Sequence, residues 1–215
     1  MKRALIFFGG WPGHQPRECA DFFAGKLAGR GISSELRDSL SCLDDGAFLA
    51  GFDLIVPLWT MGSVSEGQER NLVDAVRSGV GLGGFHGGMG DAFRGAIGYQ
   101  WMVGGQFVAH PDNHKEYTVN LSRPTDPIVA GLGDFRVHSE QYYMLVDPLN
   151  EVLASTVFIS KSAPWIDGVV VPVAWKKVHG LGRVFYSALG HEVREFIDVP
   201  EQLEMTLRGM LWAAR

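Results

Sequence analysis

The chain has 215 residues, 46% of them hydrophobic and 20% charged, with a formal net charge of −5. This length suits one substantial domain rather than two small ones, and the acidic balance without a Lys/Arg cluster argues against a nucleic-acid partner. No apolar stretch is long enough to span a bilayer, and Cys19 and Cys42 form no CxxC pair, so a reduced, cytoplasmic setting away from the membrane is expected.

Met1-Lys2-Arg3 precedes an apolar run, Ala4 to Phe8, too short for a secretion signal and followed by Gly9-Gly10-Trp11-Pro12 instead of a cleavage site. The run predicts a buried first strand. Residues 16–27 predict a helix whose inner face carries Cys19, Phe22, Phe23 and Leu27, stopped by Gly29 and Gly31. A second strand at 32–36 and a short helix capped by Ser41 follow. Residues 53–59 form a third strand, and Ser65 with Gln68 makes a capping box for a helix that turns Leu72, Val73 and Val76 inward. Residues 80–85 predict a fourth buried strand, ending in a glycine-rich elbow with His86 at its tip. There the glycines are expected to supply positive φ. Strands alternating with helices in this way predict a parallel, doubly wound sheet.

Beyond the elbow, Phe93, Ile97 and Trp101 have helical spacing over 93–103, and Trp101, Trp175 and Trp212 are expected in the core. Residues 115–121 alternate as an exposed strand, 124–131 read as loop, and an extended 135–140 puts His138 and Glu140 on one face. Strands are predicted at 151–158, 169–178 and 182–189, the last two as an antiparallel hairpin, and an amphipathic helix at 203–212 closes the chain. The whole chain, 1–215, reads as a single α/β domain.

His14, His86 and the pair His191-Glu192 each follow an apolar strand-like run, where open α/β sheets place their crevice. His110 and Glu140 come from the irregular middle. Histidines with a carboxylate can bind zinc or a similar divalent ion, or transfer protons near neutral pH. His110-x-x-x-His114 has helical spacing, but Pro111-Asp112-Asn113 opposes a helix, and His114 and His179 read as exposed loop residues. Trp11, Trp59, Tyr142 and Tyr143 lie near run ends, where aromatic faces suit stacking on a sugar.

With these residues in view, the chain resembles the trehalose-utilisation (ThuA-like) family. The resemblance rests on the segments from Gly9 to His14, Gly84 to Gly88, Gly104 to Pro111, His138 to Tyr143, Val146 to Pro148, Pro172 to Trp175, Gly182 to His191 and Gly209 to Ala214. It implies a three-layer, flavodoxin-like sandwich of the class I glutamine amidotransferase type, with a mainly parallel central sheet and a late antiparallel hairpin. Amidotransferases carry a nucleophilic cysteine at the elbow, where this chain has His86; His191-Glu192 resembles their later His/Glu pair. Neither Cys19 nor Cys42 lies near an elbow in sequence, so glutamine hydrolysis through a thioester is not expected.

The family resemblance further implies disaccharide utilisation, with a 3-keto-disaccharide supplied by a partner sugar dehydrogenase. His86, Glu140 and His191 are the expected catalytic residues, Glu140 or His191 as base and His86 as electrophile or ligand. His14, Trp11, Trp59, His110, Tyr142 and Tyr143 are expected to bind substrate, and His86, His110, Glu140 and His191 to hold a divalent ion such as zinc. The alternative is a non-catalytic sugar-binding or regulatory module. A homo-oligomer is expected, because the 169–189 hairpin and the 115–121 strand offer an edge for a second subunit to cover.

Overall fold

The computed structural model describes residues 2–215. Strand β1 (Lys2–Gly10) leads through a 3₁₀ turn at Pro12–His14 into α1 (Pro16–Ala28) and β2 (Ile32–Arg37). Then come α2 (Gly46–Ala50), β3 (Leu54–Thr60), α3 (Glu66–Arg77) and β4 (Gly81–Phe85), the last running directly into the short helix α4 (His86–Gly90). After α5 (Ile97–Val103) a run of strands follows: β5 (Gly105–Ala109), β6 (His114–Leu121), β7 (Phe135–Glu140), β8 (Tyr143–Val146) and β9 (Glu151–Val157). β10 (Val170–His179), β11 (Gly182–Ser187), α6 (Val193–Asp198) and α7 (Pro200–Ala213) complete the chain.

Nine strands form one sheet in the order β2-β1-β3-β4-β11-β10-β9-β6-β7. From β2 to β11 neighbouring strands are parallel; from β11 to β7 they are antiparallel. The parallel half is apolar because both its faces are covered. On β1, Ala4 to Phe8 are all buried. Helix α6 contacts both α1 and α7, as α3 does α2 and α5, giving layers on the two sides of the sheet. α7 lies close to β4, and a Cβ at Gly81 would stand 2.2 Å from the Ala213 carbonyl oxygen.

Ribbon β6–β7 determines where the site forms. β6 pairs with β9 only at Asn120 and Leu121, but with β7 along most of its length. Its His114 end therefore leaves the sheet and carries the end of β7 with it. In a flat sheet β7 would stand roughly 24 Å from β4, at about 4.8 Å per strand. Glu140 instead lies 3.3 Å from His86, so the antiparallel arm curls back over the parallel strand ends.

Several local expectations change. Asp45 caps α2 through the Ala47 and Phe48 N–H groups, and Ser39, rather than Ser41, caps the preceding 3₁₀ turn. The helix expected from residue 93 begins at Ile97, because Phe93 has a φ of +49° that a helix cannot accommodate. Its inner face is Tyr99, Met102 and Val103; Trp101 is 61% exposed and not a core residue. Trp175 is fully buried and Trp212 only partly. The hairpin is not an edge, since β10 and β11 are interior; β6 has β9 beside it only at Asn120 and Leu121, and its His114–Val119 stretch pairs with β7 alone. The sheet's outermost strands are β2 and β7, so the hairpin offers no edge for a covering subunit, whereas the one-sided stretch of β6 does.

Candidate functional site

The parallel strands end on one side of the sheet, and the polar side chains converge there. His14 follows β1, Thr60 ends β3, His86 follows β4 and His191 lies just beyond β11, while Glu140 arrives at the tip of β7. One carboxylate oxygen is the focus. Glu140 Oε2 lies 3.3 Å from His86 Nε2, 3.4 Å from His191 Nδ1 and 3.9 Å from His14 Nε2. The four ligand atoms all lie within 4.8 Å of one another. His110 approaches from the other oxygen, with Nε2 3.8 Å from Glu140 Oε1, and the His114 ring stands edge-on to His191 at 4.5 Å.

His86 sits on a strained elbow. Its φ is +46°, a left-handed conformation that a non-glycine residue adopts at a cost. This reverses the expected division of labour, since none of the glycines from Gly81 to Gly90 has positive φ. They serve close approach instead: a Cβ at Gly87 would lie 2.4 Å from His14 Cε1, so only glycine lets the His14 ring settle there. The elbow is held from outside as well. Tyr186 Oη donates to the His86 carbonyl at 3.1 Å, and the Tyr142 ring stacks on the imidazole at 4.1 Å.

The outer nitrogens of two imidazoles are engaged. His86 Nδ1 donates to the Ala188 carbonyl at 2.8 Å, which fixes the tautomer and leaves the Nε2 lone pair facing Glu140. His14 Nδ1 meets Thr60 Oγ1 at 2.7 Å. His86 Nε2 and His191 Nδ1 are buried and have no hydrogen-bond partner. Glu195 accepts the His191 backbone N–H and the Ser139 hydroxyl, each at 3.0 Å, tying the loop after β11 to β7.

Burial and pairing set the charges. Burial pushes the Glu140 carboxyl up, but the surrounding His14, His191 and His86 outweigh it and hold the group well below the usual carboxylate range. Burial lowers His86 to about 3, and it lowers His14 as well. For His191 burial also acts downward, yet the nearby Glu140 wins and raises it. The arrangement is an ionised carboxylate facing two imidazoles that stay neutral and one that readily takes a proton.

Other expected site residues take varied places. Trp11 is 42% exposed and stands edge-on to His14 at 4.7 Å, at the mouth of the cluster. Tyr142 is buried, stacked on His86 and packed against Phe107 at 4.5 Å, so it is not open to a ligand. Trp59 lies along Gly9 and Gly62, and Tyr143 packs on Phe158, so neither joins the histidines. Glu192 does not complete a triad with His191; its carboxylate accepts from Gln15 Nε2 at 3.1 Å. Cys19 is nearer the elbow than its sequence position implies. It lines a void of about 10 Å³ behind His14 and His86, and its thiol donates to the His14 carbonyl at 3.5 Å. His114 begins β6 instead of lying in a loop. A polar groove of about 420 Å³, lined by His114, His138, Glu192, Arg194 and Asp198 among others, opens beside the cluster. Two parts were absent from the sequence reading: Glu195 has no motif around it, and the groove depends on how β7 meets α6.

The model of the ThuA family, described as trehalose utilisation, matches residues 3–213. The chain belongs to the ThuA family. Among solved structures it is similar to a ThuA-like protein from Bacteroides uniformis, with TM-score 0.81 and 19% identity over 99% of this chain and 91% of that one. A ThuA-like protein from Parabacteroides merdae gives TM-score 0.71 and 17% identity over 99% and 89%. A β-galactosidase from Bacillus circulans sp. alkalophilus matches over 98% of this chain but 30% of its own length, with TM-score 0.61 and 12% identity. At these identities the likeness establishes the fold. Among curated proteins none matches the chain. The mixed α/β architecture, with its parallel half-sheet and late hairpin, is that of the ThuA-like structures. Among the described residues no helix is long and apolar enough to cross a membrane.

Proposed function

We propose that this ThuA-family chain is an enzyme of disaccharide utilisation that acts on a keto-sugar, such as a 3-keto-disaccharide, by proton transfer at the His/Glu cluster. The observation that carries the reading is the buried Glu140 carboxyl group facing three imidazoles at the strand-end crevice. A ketone acidifies the neighbouring C–H. A base that takes this proton leaves an enediolate, which either returns the proton elsewhere or expels a group β to the ketone, breaking the glycosidic C–O bond. Positive charge near the enediolate oxygen lowers the barrier, supplied here by protonated His191 or by an ion at the cluster.

The base assignment shifts from the one expected. One oxygen of Glu140 faces His14, His86 and His191 together, so Glu140 serves as the anchoring charge. The proton carrier is an imidazole on the open side: the His110 side chain is 34% exposed, against 11% or less for His14, His86 and His191. The surrounding proposals are a sugar dehydrogenase that supplies the ketone, a cytoplasmic setting and a homo-oligomeric assembly; a monomer mass in gel filtration at micromolar concentration would refute the last.

The test is an assay of purified protein with 3-keto-trehalose in D₂O, with and without chelator. Solvent deuterium should enter the sugar next to the ketone, with isomerised or cleaved product, and His110→Ala should abolish both. Saturable sugar binding with no exchange and no product in the wild type would establish the binding-module alternative instead.

A further inference from the structure

We infer that His14, His86, Glu140 and His191 form a binding site for one divalent transition-metal ion of the zinc type. The inference deepens the reading above and shares its site, but it stands on the geometry of the four side chains. Their ligand atoms lie within 4.8 Å of one another, and the three His–Glu140 separations run from 3.3 to 3.9 Å. Four ligands about 2.0–2.1 Å from a tetrahedral zinc stand roughly 3.3 Å apart.

The spacing matters because hydrogen bonds do not account for it. His86 Nε2 and His191 Nδ1 are buried, aimed at the same carboxylate oxygen and without a hydrogen-bond partner. Buried polar nitrogens are rarely left so unless something else occupies their lone pairs. The lone pairs also point the right way. A carbonyl can only accept, so the Ala188 oxygen requires a hydrogen on His86 Nδ1 and leaves the inward Nε2 free as a donor atom. His14 is braced in the same manner, through Nδ1 and Thr60. Metal-binding histidines are oriented by such outer contacts. With His191 giving up its proton to the ion, three neutral imidazoles and one carboxylate carry a single negative charge at a buried centre, which a divalent cation more than offsets. An imidazole-rich set of this kind selects zinc and its transition-metal neighbours over magnesium or calcium.

His110 stands outside the set. It approaches Glu140 by the oxygen the other three do not share, and it faces the solvent side. His14 therefore takes the ligand place that the sequence reading gave to His110, leaving His110 free to carry protons. Bound at this centre, the ion would supply Lewis-acid polarisation of a substrate carbonyl.

The test uses the full chain freed of metal by chelation. Cobalt(II) should bind one equivalent and give visible d–d absorption, zinc should displace it, and magnesium should do neither. By calorimetry, His14→Ala and His191→Ala should each weaken zinc by at least about 100-fold, more than the loss of an outer contact does, while His110→Ala leaves zinc affinity unchanged. Circular dichroism reports whether each variant folds, and the wild-type cobalt titration is independent of the variants. Absence of both a cobalt band and a zinc isotherm in the wild type overturns the site, as does a His110→Ala loss equal to that of His14→Ala. One equivalent of zinc with no keto-sugar chemistry would support the site and overturn the function.

Discussion

At the scale of single residues, the site depends on contacts one methyl group could ruin. Gly87 is the clearest case. Its backbone does not need glycine's positive φ, yet an added Cβ would enter the His14 ring, which Thr60 holds on its far side. Gly87→Ala should therefore displace His14, abolish zinc binding and turnover, and cost about 1–3 kcal/mol of stability, as overpacking does. Zinc calorimetry with urea unfolding checks both parts; an alanine variant that binds zinc as the wild type does would show that the His14 position is unimportant. The thiols give a second case. Burial raises Cys19 to about 12 and Cys42 to about 11, so near pH 8 each is far less ionised than an ordinary thiol. Native protein should resist iodoacetamide at pH 8, react faster as the pH climbs past the usual thiol range, and label fully in denaturant. Rapid native labelling of Cys19 at pH 8 would reopen the thioester chemistry that the elbow histidine argues against.

At the scale of elements, the cluster is a junction between strand ends, and Glu195 locks part of it. Its carboxylate ties Ser139 of β7 to the His191 backbone after β11, so it sets the distance between Glu140 and His191 without touching the metal centre. Glu195→Ala should reduce zinc affinity or turnover by roughly 10–100-fold, the usual effect of losing an outer contact, with little change in circular dichroism; unchanged affinity and turnover would refute this positioning role. The elements on which this junction rests were unequally legible. β1, β3 and β4 are continuous apolar runs closed by glycine or a polar residue, and burial on both faces produces that pattern directly. β5 and β8 are short, irregularly buried and paired only with each other, so no periodicity marks them. The same contrast runs through the site. His14, His86 and His191 follow strand ends and could be placed at one sheet edge from sequence, whereas the exchange of His14 for His110 depends on how β6 peels from β9, a long-range property.

At the scale of the whole molecule, the cluster joins parts of the chain that are far apart in sequence, from His14 near the start to His191 near the end. Unfolding either half of the sheet disperses the ligands, so an ion bound at this centre binds the native state and not the unfolded chain. It must then stabilise the entire fold. A ligand at 100 times its dissociation constant adds about 2.7 kcal/mol, and for a chain of this size each kcal/mol raises Tm by about 2–4 °C. Zinc added to chelator-treated protein should thus raise Tm by roughly 5–10 °C. The shift should keep growing with zinc concentration beyond saturation, because mass action on the native state does not plateau when the site fills. His14→Ala and His191→Ala should lose it, and His110→Ala should keep it. Magnesium at the same concentration should leave Tm in place, since neutral imidazoles are poor ligands for a hard cation. Differential scanning calorimetry measures all of these outcomes, and a zinc-dependent Tm that survives in His14→Ala would locate the stabilising ion elsewhere in the molecule.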